Sequence, residues 1–176
     1  MSILTSLTRM WLTRSVKPFI FKNEYDSTLP FSDCDSLGLY IHIPFCKNIC
    51  NFCPYCKVPY EKDLCDRYID ALIQEIHLVG SSYNSKKRTT SLYFGGGTPA
   101  LAIGRLKEII DAVNEHFIIT EGIGIELHPD NVTPAVLNTC KDAGITKLSI
   151  GIQSFSDKYR HILGRGAVDC TALKDA

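Results

Sequence analysis

Three cysteines lie close together in the run Cys46-Lys-Asn-Ile-Cys50-Asn-Phe-Cys53, directly after the apolar, strand-like segment 39–45. Three thiolates on one short loop can hold three irons of a cubane iron–sulfur cluster, for which the usual full set is four cysteines. A missing fourth ligand leaves one iron open to a small molecule. The spacing therefore predicts a reactive metal centre rather than a passive one.

A zinc knuckle is the alternative reading of the same loop. Cys53-Pro-Tyr-Cys56 is a CxxC pair, and Cys46 or Cys50 would add a ligand. Structural zinc needs four ligands, usually as two pairs separated by about a dozen residues or more. No second CxxC or histidine pair follows at such a distance, so we favour the iron–sulfur interpretation. The role of Cys56 stays open: a spare thiol, a neighbour of the cluster or a participant in later chemistry.

Three further loops carry residues suited to binding a ligand. Gly95-Gly96-Gly97-Thr98-Pro99 offers backbone N–H groups without obstructing Cβ atoms, although a glycine run is also typical of a tight turn. Glu126, followed by His128-Pro-Asp130, is either a solvated carboxylate or an acceptor for ligand hydroxyls or amines. Gln153 is a polar residue at the end of the fourth predicted strand. Arg165 is a basic residue just past the carboxyl end of the last predicted helix, where the helix dipole favours a positive charge.

These loops fall at equivalent points of a repeating pattern of strand, loop and amphipathic helix. The predicted strands are 38–43, 91–94, 124–127 and 147–152, and the predicted helices are 62–79, 104–117, 133–144 and 156–164. Gly80 is the expected stop of the first helix, and Thr133 as N-cap with Pro134 in the first turn is the expected opening of the third. Four successive βα units imply an α/β fold with a parallel sheet and outer helices. Side chains that perform chemistry in such folds sit at the carboxyl ends of the strands, where all four loops lie.

Composition narrows the class of protein. The chain has 176 residues and a formal net charge of zero, so no basic excess indicates nucleic acid. No apolar run approaches the ~20 residues that span a bilayer. Eight cysteines, four of them clustered, favour reduced, metal-binding thiols in the cytoplasm. Residues 1–37 are expected to form a poorly ordered leader before a core of residues 38–176. The composition of 1–22 also describes a mitochondrial transit peptide, the less favoured alternative.

Together the motifs resemble those of radical S-adenosylmethionine (SAM) enzymes, and more narrowly the oxygen-independent coproporphyrinogen III oxidase group that includes the HemN and HemW proteins. The resemblance begins at Tyr40-Ile-His-Ile-Pro-Phe-Cys46 and continues through Gly-Gly-Gly-Thr-Pro, Glu126 and Gln153-Ser-Phe155 to Leu163-Gly-Arg165. It implies a radical-SAM (β/α) barrel, of which about four of six units are present. We therefore expect this chain to be the amino-terminal part of a larger protein or a truncated product.

The resemblance also implies ligands and roles. Cys46, Cys50 and Cys53 would ligate a [4Fe–4S] cluster whose fourth iron is chelated by SAM. The positions that align with SAM-contacting residues of the family are Tyr40, Phe52, Gly96, Gly97, Thr98, Glu126, Gln153 and Arg165. The reduced cluster would cleave SAM to methionine and a 5′-deoxyadenosyl radical, which abstracts a substrate hydrogen. A flavodoxin or ferredoxin would supply the electron.

The substrate implied is a tetrapyrrole, with oxidative decarboxylation of coproporphyrinogen as the leading activity. One departure counts against a strict oxidase. In that group a fourth cysteine comes two residues after the third, whereas Cys56 comes three residues after Cys53. The alternatives are a HemW-type heme-trafficking chaperone, a radical SAM methyltransferase and an inactive fragment. No substrate-binding or catalytic residue can be assigned from these motifs.

Overall fold

The structure, a computed structural model, describes residues 37–165 together with Trp11 and Cys34. Most of the predicted leader, the segment considered as a transit peptide and Cys170 lie outside the described residues. The described helices and strands follow one another in chain order as β1 Leu39–Ile43, β2 Phe45–Cys46, β3 Val58–Pro59, α1 Lys62–Gly80, β4 Lys87–Thr89, β5 Leu92–Gly96, a 3₁₀ helix Pro99–Arg105, α2 Leu106–His116, β6 Phe117–Ile119, β7 Ile123–Leu127, a 3₁₀ turn Pro129–Asn131, α3 Pro134–Asp142, β8 Lys147–Ile150 and α4 Asp157–Ile162.

The central sheet is parallel throughout, with four strands in the order β1-β5-β7-β8. Each strand is followed by a helix before the next strand of the sheet begins, as the alternating pattern predicts. The α/β class expected from the sequence is therefore confirmed. The carboxyl ends of all four strands lie at one edge, which brings the four motif-bearing loops together.

The two faces of the sheet differ in character. Ile41 and Ile43 of β1, Phe94 of β5 and Ile125 of β7 are buried in the hydrophobic core beneath the helices. Alternate positions present polar or aromatic groups on the opposite face, as the two-residue period of a strand requires. In the sheet register Tyr40 lies beside Tyr93, and Glu126 beside Ser149. The face without helices therefore carries polar and aromatic side chains up to the sheet edge where the motif-bearing loops lie.

The helical layer is held by apolar packing between α1 and α2. Cys65, Ile69 and Ile76 of α1 are buried, as are Leu106, Ile109, Ile110, Ala112 and Val113 of α2. Arg105 adds a link at the surface, where its guanidinium bonds Asp70 of α1 and Glu108 of α2, each at 2.8 Å. The periodic apolar positions of the sequence thus mark the contact between these helices.

Several boundaries differ from the predicted ones. The predicted strand 91–94 extends to Gly96, and the predicted strand 147–152 stops at Ile150. Phe117 begins β6 rather than ending a helix, because β6 pairs with β4 in a short parallel ladder. Helix α1 runs through Gly80, which the sequence assigned as its stop. Two-residue and three-residue ladders of this kind carry no periodic signal, so the sequence did not indicate them.

The opening of α3 agrees with its prediction. Thr133 caps the helix by accepting a hydrogen bond from the Val136 N–H at 3.3 Å, and Pro134 occupies the first turn. Gly144 follows the helix in the left-handed region, with φ of 86°. Within the part of the chain that the structure describes, no helix is long and apolar enough to cross a membrane.

Candidate functional site

The cysteine loop is anchored at both ends by the ladder between β2 and β3. The Val58 N–H donates to the Pro44 carbonyl and the Tyr60 N–H to the Cys46 carbonyl, each at 2.9 Å. Inside the loop, the Lys57 ammonium donates to the Cys53 carbonyl. These bonds return the chain to the sheet edge and leave Cys46, Cys50 and Cys53 half-buried as free thiols.

The three thiols lie within electrostatic range of one another. Burial is the main cause that raises the pKa of Cys46, the Thr98 hydroxyl at 3.9 Å from its Sγ lowers it, and Cys53 and Cys50 raise it further. In a tetrahedral zinc site with Zn–S bonds of about 2.3 Å, sulfurs would be about 3.8 Å apart. Among the described residues, no three of the loop cysteines have ligand atoms within 4.8 Å of one another. The three sulfurs are therefore not already gathered at the spacing of a tetrahedral zinc site.

The glycine run packs directly against the start of the cysteine loop. The Gly97 N–H donates to the Ile43 carbonyl at 2.8 Å, and the Thr98 N–H donates to the Phe45 carbonyl at 2.7 Å. A Cβ at Gly97 would lie 2.5 Å from the Phe45 carbonyl oxygen, which only a residue without a side chain avoids. Gly96 adopts a φ of 113°, which L side chains rarely adopt.

On the other side of the site, the loop after β8 brings Glu126 and Gln153 together around Gly151. An ideal Cβ at Gly151 would lie 3.8 Å from Glu126 Oε1 and 3.3 Å from Gln153 Nε2. Gln153 has a φ of 69°, a strained backbone conformation for a residue with a side chain. Such strain is often found where a side chain must be aimed at a ligand.

Two arginines hold this loop. Arg160, only 2% exposed, donates from Nη1 to the Ser154 carbonyl at 3.0 Å and pairs with Asp157. Arg165 donates from Nη1 to the Gly151 carbonyl at 3.2 Å, while its buried Nε has no hydrogen-bond partner among the described residues. The sequence motifs included Arg165 but missed Arg160, because a basic residue in a short helix gives no signal of burial.

The cysteine loop, the glycine run, Glu126, Gln153 and Arg165 line a cavity of about 420 Å³ at the carboxyl ends of the strands. Its volume is within the range of small-molecule sites. The sequence-predicted residues that line the cavity are Cys46, Cys50, Phe52, Cys53, Gly96, Gly97, Thr98, Glu126, Gln153 and Arg165. Additional lining residues that the motifs did not assign include Lys57, Leu101 and Asn131. These three residues belong to none of the motifs, and only the folded structure shows that they line the cavity.

Tyr40 does not line this cavity. Its ring stacks on Tyr93 with centroids 6.3 Å apart, and its hydroxyl lies 3.3 Å from His42 Nδ1. Burial is the first cause that raises the pKa of Tyr40, and the nearby charge of Glu126 is the second. Tyr40 therefore occupies the open face of the sheet beside the cavity, and its role near SAM stays a prediction.

His128 also lines the cavity, at the end of β7. Its Nδ1 accepts a hydrogen bond from the Asp130 N–H at 3.2 Å, which caps the short turn Pro129–Asn131. Burial first, and the charge of Arg165 second, lower the pKa of His128. A neutral imidazole that accepts a local backbone bond fits a structural role better than a metal ligand.

The ends of the parallel strands place three loop cysteines, which are potential metal ligands, beside a cavity of small-molecule size. Residues 40–172 match the sequence pattern of the Radical SAM superfamily. The chain belongs to this family. Membership implies a [4Fe–4S] cluster and SAM as cofactors.

Similar proteins have several different names. The chain is 37% identical to anaerobilin synthase of Escherichia coli O157:H7 over 77% of its length and 31% of that protein. It is 34% identical to the heme chaperone HemW of Bacillus subtilis over 72% of its length and 34% of that protein. It is 31% identical to oxygen-independent coproporphyrinogen III oxidase of Paracoccus denitrificans over 74% of its length and 30% of that protein.

A solved structure is also similar. The chain superposes on coproporphyrinogen III oxidase (HemN) from Escherichia coli, a radical SAM enzyme, with a TM-score of 0.70 and 30% identity. The match covers 78% of this chain and 32% of that one. The chain thus spans about a third of the length of the relatives it matches.

Proposed function

We propose that this chain carries the SAM-cleaving site of a radical SAM protein that acts on a tetrapyrrole, with an activity like that of coproporphyrinogen III oxidase. One observation carries the proposal: the cavity at the strand ends is lined by the three loop cysteines together with the glycine run and with Glu126, Gln153 and Arg165. A loop of thiols alone would be compatible with many metal sites.

The residues present fit the implied cofactors. Cys46, Cys50 and Cys53 would hold the cluster, which when bound supplies the electron that cleaves SAM. Their thiols are half-buried and free. The cavity beside them has room and polar groups for a ligand of small-molecule size.

Each wall of the cavity offers a different contact for SAM. Gly96, Gly97 and Thr98 would hold the methionine end along a backbone free of Cβ atoms. Arg165 lines the cavity, so its guanidinium would donate a charge-assisted hydrogen bond to an acceptor on a bound ligand. Glu126 and Gln153 would accept and donate hydrogen bonds opposite Arg165, and Phe52 would provide an aromatic contact. Tyr40 lies beside the cavity, so it would contact only a part of SAM that extends onto the open face of the sheet.

The substrate class rests on the relatives. Their names refer to heme, coproporphyrinogen and anaerobilin, which favours a tetrapyrrole substrate or cargo for this chain. The 34% identity to a heme chaperone makes heme trafficking the second candidate, and the position of Cys56 also separates this chain from a strict oxidase. Radical methylation and an inactive fragment remain further alternatives.

The remaining assignments follow from this proposal. A flavodoxin or ferredoxin would donate the electron, and the protein would work in the cytoplasm, where its thiols stay reduced. Residues 38–176 would form the SAM-binding core after a leader of residues 1–37.

The test is anaerobic reconstitution of the cluster, reduction with dithionite in the presence of SAM, and assay of 5′-deoxyadenosine. Formation of a cluster with release of 5′-deoxyadenosine would support the proposal, and coproporphyrinogen III and heme would then be tested as substrates. Stoichiometric heme binding without SAM consumption would favour the chaperone. Zinc bound in place of a cluster would overturn both.

A further inference from the structure

A second cluster of metal-binding side chains lies at the ends of α1 and α2. His77 is in the last turn of α1, and Glu115 and His116 close α2. His77 Nδ1 lies 3.0 Å from His116 Nε2, with the rings T-shaped and their centroids 5.3 Å apart. Two ring nitrogens from different helices therefore face the same small space.

Glu115 adds an oxygen to this pair. Its Oε2 lies 3.7 Å from His77 Nδ1, and the ligand atoms of all three residues lie within 4.8 Å of one another. Metal–nitrogen bonds of about 2.0–2.1 Å require ligand atoms separated by about 3 Å or slightly more. Small side-chain rotations would therefore suffice to place all three atoms on one ion.

The backbone leaves room for the histidine ring. A Cβ at Gly80 would lie 2.2 Å from Cγ of His116 and 2.6 Å from its Cδ2, so His116 reaches His77 only because residue 80 has no side chain. A cavity of about 180 Å³ adjoins Glu115 and His116. Tyr83 lines it, and its buried hydroxyl has no hydrogen-bond partner within the described part of the chain.

The electrostatics of the helices favour a cation here. His77 and His116 both belong to last turns, where the macrodipole and the unpaired carbonyls are negative. Lys86 also lines the cavity, and its ammonium donates to the Asn114 carbonyl at 2.7 Å. This ammonium is a positive charge that opposes a metal ion in the cavity, whereas the two helix carboxyl ends favour one.

We propose that His77, Glu115 and His116 form a binding site for a divalent transition-metal ion of the zinc type, separate from the cysteine loop. Two imidazoles and a carboxylate are a donor set that Zn²⁺ accepts, with a remaining position for water. By joining the ends of α1 and α2, the ion would stabilise the helical layer. The competing interpretation is a simple hydrogen bond between the two imidazoles.

The test is calorimetric titration of the full chain with Zn²⁺ after alkylation of its accessible cysteines, which removes binding to the loop thiols. We expect one site whose affinity for Zn²⁺ falls about tenfold or more in His77→Ala and in His116→Ala. Loss of a residue that only hydrogen-bonds a metal ligand already lowers metal affinity by about this factor, so loss of a ligand itself should cost at least as much. His161→Ala is the matched control, because His161 is an exposed histidine on α4. Gly80→Ala should also weaken binding by displacing the ring of His116.

Thermal unfolding provides a second readout. With the cysteines alkylated, Zn²⁺ should raise the midpoint of the wild-type chain and of His161→Ala, and leave the midpoint of the His77→Ala, His116→Ala double variant unchanged. Circular dichroism checks that the variants fold. Equal Zn²⁺ affinity and equal midpoint shifts in wild type and the double variant would overturn the proposal. These results do not depend on whether the cysteine loop binds a cluster.

Discussion

Arg165 lies over the ring of Phe52, with its guanidinium carbon 5.7 Å from the ring centroid. The same guanidinium donates to the Gly151 carbonyl in the loop after β8. One side chain from the last described turn therefore contacts both the cysteine loop and the loop that carries Gln153. Arg165 also lines the cavity, and its buried Nε has no hydrogen-bond partner among the described residues.

Replacement of Arg165 by Ala should weaken SAM binding about tenfold or more, since a hydrogen bond to a charged group contributes about 1.5–3 kcal/mol. The cluster should still form, because Arg165 is not a thiol ligand. Arg165→Lys should restore only part of the affinity, because an ammonium cannot reproduce the planar guanidinium over Phe52. Equilibrium binding of SAM to the reconstituted protein measures this.

The matched control for that experiment is Arg67→Ala, at an exposed position of α1 that does not line the cavity. An affinity for SAM that is the same in Arg165→Ala and Arg67→Ala would remove Arg165 from the site.

Cys50→Ala should abolish the iron–sulfur absorbance after anaerobic reconstitution, because two remaining thiolates hold the cluster too weakly. Iron and sulfide content, measured with the absorption spectrum, are the readouts. Cys34→Ala is the control, since Cys34 is an exposed cysteine outside the loop. Full cluster content in Cys50→Ala would contradict the ligand assignment. Cys56→Ala in the same series decides whether the fourth loop cysteine takes part.

Gly97→Ala should destabilise the protein by about 2 kcal/mol and lower its cluster content. The added Cβ would meet the Phe45 carbonyl at 2.5 Å and the Pro44 backbone at 2.8 Å, which forces the cysteine loop away from β5. Denaturant unfolding and iron content measure the two effects. Gly104→Ala is the control, because a Cβ there meets nothing within 4 Å. Equal loss of stability in both variants would contradict the steric argument.

Stability should fall in mild acid through His128. Burial, with Arg165 adding to it, lowers the pKa of His128 below the ordinary value of about 6.5. In the unfolded chain the imidazole takes up a proton near that ordinary value, whereas the folded protein keeps it neutral to lower pH. The unfolded state then binds more protons, so the free energy of unfolding declines as pH falls below about 6.5.

The comparison for this effect is His128→Asn, because asparagine keeps an acceptor for the Asp130 N–H. Thermal midpoints measured from about pH 7.5 to about pH 5 should fall more steeply in wild type than in the variant. Parallel curves would show that His128 does not contribute.

Much of the fold could be predicted because the burial pattern repeats locally. The stripe at Cys65, Ile69 and Ile76 predicts a helix, and the cap at Thr133 predicts where another begins. The β2–β3 ladder could not be predicted, because it joins two-residue segments on either side of the cysteine loop and their pairing depends on the folded loop. Gly80 was interpreted as a helix stop, whereas its lack of a side chain serves the close approach of His116.

The sequence by itself determined the kinds of chemistry: three thiols at fixed spacing, a glycine run, and single polar residues after successive strands, all of which are local features of the chain. Only the tertiary structure decided which of these groups share a space. It buries Arg165 Nε without a partner among the described residues, strains Gln153 and leaves Tyr40 outside the cavity. It also joins His77 to His116, two residues that no motif connected. The physical reason is that burial, packing and distances between helices depend on contacts between segments far apart in the chain.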